Sequence, residues 1–285
     1  MSEMKKCVVV GGGTMGRQIA LNAAIYHYNV VVCETYAPAR ENLAKWEEEY
    51  LAGRIEKGRM TEEQVDEIKH RFQITDDIAE ACKEAYIVIE AIVEVEEAKR
   101  SVLSQISRVA PTDAVIATNS SYMVSSLFKD AVEHPERLAN LHYFLPPLVN
   151  KLVEVVRGPH TSEETVNKLM EFGRSIGKTP VLVKKEIDGF IVNNVLSAIK
   201  EEAYKLVSEG VCSIEDLDTA VELGLKHPMG PFKLDDMAGL DVRYNVLDRR
   251  LKETGKKSYG YDLIKGMYDE GKLGRKTKHG FYDYE

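Results

Sequence analysis

Short apolar runs alternate with amphipathic stretches along the first two thirds of the chain, and helical periodicity alone follows. Cys7–Val10, Val30–Cys33, Tyr86–Glu90 and Ala114–Thr118 are near-continuous apolar runs, the pattern of strands buried on both faces. Phe72–Ile74, Arg137–Tyr143, Lys151–Val156 and Pro180–Val183 add four more strands. Between them, Met15, Ile19, Ala23 and Tyr26 fall near one helical face. A charged helical excursion covers residues 36–70, with interruptions expected near Gly53 and Gly58. Further helices are predicted over Asp76–Cys82, over Glu96–Ala110 (apolar at Val102, Leu103, Ile106 and Val109) and over Glu163–Ile176. This alternation predicts an α/β domain with a mostly parallel open sheet and helices on both faces. From Asp188 onward the strands stop. A long helix over Phe190–Ser208, a capping box at Ser213, a break at Gly230-Pro231 and two more helices describe an all-helical C-terminal domain. The boundary falls near residue 186, giving domains 1–186 and 187–285.

The first strand runs directly into Gly11-Gly12-Gly13-Thr14-Met15-Gly16, which satisfies G-x-G-x-x-G, and the next strand ends on Glu34. The spacing has a physical reason. Gly11 permits a tight turn, Gly13 lets backbone approach a pyrophosphate, and Gly16 lets the helix pack on the strand. The pyrophosphate is then received by unpaired N–H groups at the helix N-terminus. Glu34 can accept hydrogen bonds from ribose hydroxyls. Strand, glycine turn, helix and acid together point to a Rossmann-type dinucleotide-binding domain rather than an ordinary turn. The acid favours NAD, since a 2′-phosphate would meet like charge, although Arg40 a little further on leaves some use of NADP open. In such sheets ligands bind beyond the carboxyl ends of the strands, where Glu34, Glu94, Asn119 and Ser121 fall.

Composition narrows the class. The 285 residues are 44% hydrophobic and 29% charged, as in globular proteins, with a net charge of −8. That charge argues against a nucleic-acid or anionic-membrane surface, and no apolar run is long enough to span a bilayer. The four cysteines form no C-x-x-C pair, and no metal site is expected. A first strand this close to Met1 leaves no room for a leader, so a cytoplasmic setting is expected.

One of the seven histidines stands apart. His142 ends a strand at the ligand edge, and Glu154 lies on the strand that returns. With the reversal centred near Leu148, the two are equidistant from the turn and face each other across an antiparallel pair. A carboxylate there fixes the imidazole tautomer and raises its proton affinity, as a general base requires. A buried, mutually satisfied His–Glu pair is the plainer alternative; the dinucleotide expected at the same edge favours catalysis.

Across nearly its whole length the chain resembles the short-chain L-3-hydroxyacyl-CoA dehydrogenases, bacterial 3-hydroxybutyryl-CoA dehydrogenases in particular. The blocks that carry the resemblance are GGGTMG at 11–16, EAIVEVEEAK at 90–99, TNSS at 118–121 and HYF…KLVEVVRG at 142–158. DGFIVNN at 188–194, HPMGPF at 227–232 and LGRKTKHGFYDY at 273–284 continue it. The resemblance implies NAD-dependent oxidation of a 3-hydroxyacyl-CoA, or the reverse reduction. It makes His142 the base and Glu154 its partner, and gives Ser121 and Asn193 to the substrate oxygen. Glu94, Lys99 and Lys276 match cofactor contacts, and Lys57 and Arg54 could hold the CoA phosphates. A homodimer through the helical domain is also implied.

Departures from the family pattern bear on the substrate. H-F-F-N-P becomes His142-Tyr143-Phe144-Leu145-Pro146, so a substrate-side asparagine is replaced by Leu145. P-G-F becomes Asp188-Gly189-Phe190, and N-R becomes Asn193-Asn194. Trp46-Glu47-Glu48-Glu49-Tyr50 is more acidic than in relatives, and a free 3-hydroxy acid is therefore a second substrate reading. A non-catalytic NAD-binding protein is a third.

Overall fold

The computed structural model describes residues 4–285. Eight strands enter one sheet: β1 (Lys6–Val10), β2 (Asn29–Cys33), β3 (Phe72–Thr75), β4 (Ile87–Glu90), β5 (Val115–Thr118), β6 (Leu138–Tyr143), β7 (Leu152–Val156) and β8 (Thr179–Val183). Their order is β3-β2-β1-β4-β5-β6-β7-β8. Every neighbouring pair is parallel except β6 with β7. The first six strands have the Rossmann order, which reverses direction between β1 and β4.

Successive residues of the central strands enter cores on opposite faces of the sheet. Cys7, Val9, Val30, Val32, Ile87 and Ile89 belong to one, and Val8, Val10, Val31, Cys33 and Val88 to the other. Helices α1 (Thr14–Ile25) and α6 (Glu163–Ser175) cover the first core with Ile19, Leu21, Val166, Leu169 and Phe172. Helix α5 (Glu96–Val109) covers the second with Leu103 and Ile106. Burial on both faces is why these strands read as unbroken apolar runs.

The charged excursion departs from expectation. Helix α2 (Ala37–Glu56) passes through Gly53 without a break. One glycine within a helix costs only about 1 kcal/mol against alanine. The chain turns at Gly58, whose φ is +61°. Thr61 then opens α3 (Glu62–Arg71) through a reciprocal capping box with Gln64, and Asp77 caps the short α4 (Ile78–Cys82).

The chain divides into two compact units between Phe190 and Ile191. The second contains α7 (Val192–Ser208), α8 (Ile214–Leu225), α9 (Pro231–Ala238), α10 (Leu240–Thr254) and α11 (Tyr261–Asp269). Helix α7 begins two residues later than expected, because Gly189 and Phe190 take φ values of 74° and 51°. Three helices rather than two follow Gly230-Pro231. Gly239, at φ 99°, ends α9 and opens α10, a break that no proline marks. Tyr204, Leu217, Phe232, Leu240, Leu247 and Ile264 form the core of this unit. Asp218 accepts the N–H groups of Phe232 and Lys233 at the start of α9. Among the described residues no helix is long and apolar enough to cross a membrane.

Candidate active site

A cleft of about 580 Å³ opens at the carboxyl ends of β1, β2, β4 and β5, where the strand order reverses. Gly11, with φ +108°, turns the chain out of β1. A Cβ there would lie 2.6 Å from the Ala91 carbonyl oxygen after β4. At Gly16 a Cβ would lie 1.9 Å from the Gly11 carbonyl oxygen, so helix α1 packs on the turn only because the side chain is absent. Gly13 differs. It is the N-cap of α1 with no side-chain cap, and beyond the adjoining chain nothing lies within 4 Å of its Cβ position. Backbone N–H groups at the start of α1 thus have an open approach beside them, which suits a pyrophosphate. Thr14 and Met15 line the same cleft. Across it, Glu34 accepts the N–H groups of Gly12 at 2.8 Å and Tyr36 at 3.0 Å. A carboxylate has further lone-pair sites for ribose hydroxyls. These residues fit a dinucleotide.

Behind the cleft lies a charge network that strand periodicity does not reveal. Glu90, the last residue of β4, is fully buried. It accepts from Lys99 Nζ at 2.7 Å, Thr118 Oγ1 at 2.6 Å and Ile92 N at 2.7 Å. Lys99 is 1% exposed and also pairs with Glu94 at 3.2 Å. The other Glu94 oxygen takes the Ser120 hydroxyl and the Ser121 N–H. Burial pushes the Glu94 carboxyl up, but the Lys99 ammonium and these hydrogen bonds outweigh it and hold the group below the usual carboxylate range. Asn119 Oδ1 accepts the Tyr143 N–H at 2.9 Å, tying the end of β5 to the end of β6. Glu94, Lys99, Asn119 and Ser121 all line the cleft. The sequence reading missed Glu90, whose only local signal is a carboxylate closing an otherwise apolar strand.

His142 and Glu154 are direct register partners of β6 and β7, as their spacing about Leu148 predicts. Both are nearly fully buried. Nδ1 of His142 lies 2.8 Å from Glu154 Oε2, and Nε2 lies 3.1 Å from Ser121 Oγ. An ionised carboxylate can only accept, so Nδ1 carries a proton, and in the neutral ring Nε2 presents a lone pair toward Ser121. Phe144 and Phe190 pack on the imidazole with ring centroids 4.6 and 5.2 Å away.

The remaining sequence-predicted residues are placed by their elements. Arg54 is in the last turn of α2 and Lys57 is its exposed C-cap. Asn193 is the second residue of α7, and Lys276 pairs with Asp241, both in the second unit. Near the acidic run, Trp46 stacks with Tyr50 at 5.4 Å, and the Arg17 guanidinium lies 4.7 Å from the Trp46 ring.

Residues 6–187 match the model of the 3-hydroxyacyl-CoA dehydrogenase NAD binding domain, and residues 189–284 match the C-terminal domain of the same enzymes. The chain belongs to the 3-hydroxyacyl-CoA dehydrogenase family. Within that family it is 36% identical to a probable 3-hydroxybutyryl-CoA dehydrogenase of Bacillus subtilis, over 99% of this chain and 98% of the relative. The structure of a (S)-3-hydroxybutyryl-CoA dehydrogenase from Ralstonia eutropha superposes with a TM-score of 0.91 at 32% identity, covering 99% of this chain and 100% of that one. A diketoreductase acting on dicarbonyl compounds superposes at 0.89 with 28% identity, covering 100% of each chain.

Proposed function

We propose that this 3-hydroxyacyl-CoA dehydrogenase oxidises the 3-hydroxyl of a short-chain L-3-hydroxyacyl-CoA to the 3-oxoacyl-CoA with NAD, or runs the reverse reduction. The observation that carries the reading is the line Glu154–His142–Ser121, which ends in the cleft that the glycine turn also lines. Bound on Gly11, Gly13, Thr14, Met15 and Gly16, with its ribose at Glu34, NAD supplies the hydride acceptor. His142 Nε2 accepts the 3-hydroxyl proton, and Glu154 stabilises the imidazolium that forms. General-base catalysis of this kind contributes about 10²–10⁴ in rate. Ser121 holds the substrate oxygen, and the resemblance gives Asn193 the same role. Glu94, Lys99 and Asn119 complete the cofactor contacts within the cleft, the resemblance adds Lys276, and Lys57 and Arg54 take the CoA phosphates. Exposed Ile191 and Val195 at the start of α7 support a homodimer through the helical unit, in a cytoplasmic setting.

A second reading keeps the chemistry and changes the substrate to a free 3-hydroxy or 3-oxo acid. It is favoured by Leu145, 62% exposed where the family carries a polar side chain, and by exposed Glu48 and Glu49 on α2. The full-length likeness to a diketoreductase supports it too. NADH oxidation with acetoacetyl-CoA and with acetoacetate, compared side by side, decides between them. Turnover of the thioester supports the first reading, turnover confined to the free acid supports the second, and NADH binding without turnover of either removes both.

A further inference from the structure

At the carboxyl ends of β2 and β3 two acids stand side by side. Cys33 and Thr75 are register partners, so the next residue of each strand, Glu34 and Asp76, leaves the sheet at the same level. The Glu34 N–H donates to the Thr75 carbonyl at 2.9 Å, which fixes that level. Arg40, in the first turn of α2, is held between them. Its Nη1 donates to the carbonyl oxygens of Glu34 and Thr35, each at 2.9 Å. Its Nη2 makes a 2.9 Å ion pair with Asp76.

Arginine is the side chain best matched to a phosphate monoester, because its planar fork offers several donors. Here the fork lies beside the acid that takes the ribose, and three of its five N–H donors are engaged, two by carbonyls and one by a carboxylate. We propose that Asp76 is a specificity-determining residue for the cofactor: by pairing with Arg40 it withholds that guanidinium from a 2′-phosphate and so reinforces the preference of Glu34 for NAD over NADP. The inference rests on the dinucleotide reading of the cleft and adds a second acid to it. Glu34, Arg40 and Asp76 together carry a net charge of −1, the sum of two carboxylates and one guanidinium. A 2′-phosphate adds about −1.5 to −2 more. Removing Glu34 alone leaves Arg40 tied down, and removing Asp76 alone leaves the Glu34 carboxylate in place. The two acids should therefore act cooperatively.

The test measures NADH and NADPH affinities by fluorescence titration of the full chain, together with kcat/KM for each cofactor. The variants are Glu34→Gln, Asp76→Asn, the double variant, and the double variant carrying Arg40→Ala. Asp76→Ser in parallel guards against misfolding of one substitution. The double variant is expected to lower the NADPH/NADH discrimination by about tenfold beyond the product of the single effects, a coupling within the range for groups that share a partner. Adding Arg40→Ala should restore the discrimination. Single effects that merely multiply, or NADPH affinity that survives Arg40→Ala, overturn the proposal while leaving the dehydrogenase reading intact. A wild-type chain that binds neither dinucleotide overturns both.

Discussion

Glu154 stands directly opposite His142 across β6 and β7, with its Oε2 2.8 Å from the imidazole Nδ1. The pair places the ring proton on the glutamate side and leaves Nε2 to accept another, so removing the ring removes the acceptor. His142→Gln should lower kcat by about 10²–10⁴ while NADH affinity, measured by fluorescence titration, stays within a small factor. Glu154→Gln can still accept from Nδ1 but no longer stabilises an imidazolium, so it should lose less. Loss of NADH binding together with turnover in His142→Gln would mark the pair as structural.

Two glycines of the same turn should fail in different ways. A Cβ at Gly16 falls 1.9 Å from the Gly11 carbonyl oxygen, whereas one at Gly13 meets nothing within 4 Å beyond the adjoining chain. Gly16→Ala must push helix and turn apart, and overpacking typically costs about 1–3 kcal/mol. Gly13→Ala adds a methyl only to the space a pyrophosphate would enter. Its stability by urea denaturation should change by about 1 kcal/mol or less, the cost of alanine at an N-cap, while NADH affinity falls at least about tenfold. Equal destabilisation by both substitutions would contradict this division of labour.

These two sites were legible in the sequence because each depends on short spacing. The glycine turn is six residues long, and the facing of His142 and Glu154 follows from counting outward from the reversal. The parallel sheet was legible for a related reason, since strands buried on both faces write themselves as apolar runs. What escaped depends on separation. Glu90 closes β4 and finds its ammonium on α5 and its hydroxyl on β5, a meeting that no local pattern encodes. Lys99, which the resemblance gives to the cofactor, is 1% exposed with its ammonium on Glu90, a burial that its helical spacing does not announce. Gly53 and Gly239 show the ambiguity of glycine itself: one lies unbroken inside α2, and the other separates two helices at φ 99°. The lock on Arg40 is equally non-local, because Asp76 reaches it from the turn after β3.

The buried network also fixes a pH response. The Glu94 carboxyl is held below its usual 4.5. A depressed carboxylate contributes stability that is fully present above the unfolded value and is lost as pH falls through the folded one. Stability should therefore hold down to about pH 4.5 and decline on further acidification, and Glu94→Gln should make that acid limb shallower in denaturation curves taken at stepped pH. Lys99→Met is the harsher change, since it leaves Glu90 buried without its ammonium, at a cost of about 3–5 kcal/mol. An acid limb unaltered by Glu94→Gln would remove Glu94 from the account.

In the helical unit, Asp236 holds the end of the chain. Its carboxylate accepts the N–H groups of Phe281 and Tyr282 and the hydroxyl of Tyr284, each at 2.9 Å. At Gly280 a Cβ would lie 2.1 Å from the same carboxylate, which explains why a glycine precedes these aromatic residues. Asp236→Asn keeps the shape but turns one acceptor into a donor against groups that already donate. An unsatisfied buried donor costs about 1–3 kcal/mol. The substitution should release the segment from Gly280 onward, read as faster hydrogen exchange at the amides of Phe281 and Tyr282 and earlier proteolytic trimming. Asp236→Glu should recover part of the protection. Exchange at these two amides as slow in Asp236→Asn as in the parent chain would mean that the aromatic packing of Phe281 on Phe232, with centroids 4.9 Å apart, holds the segment without the carboxylate.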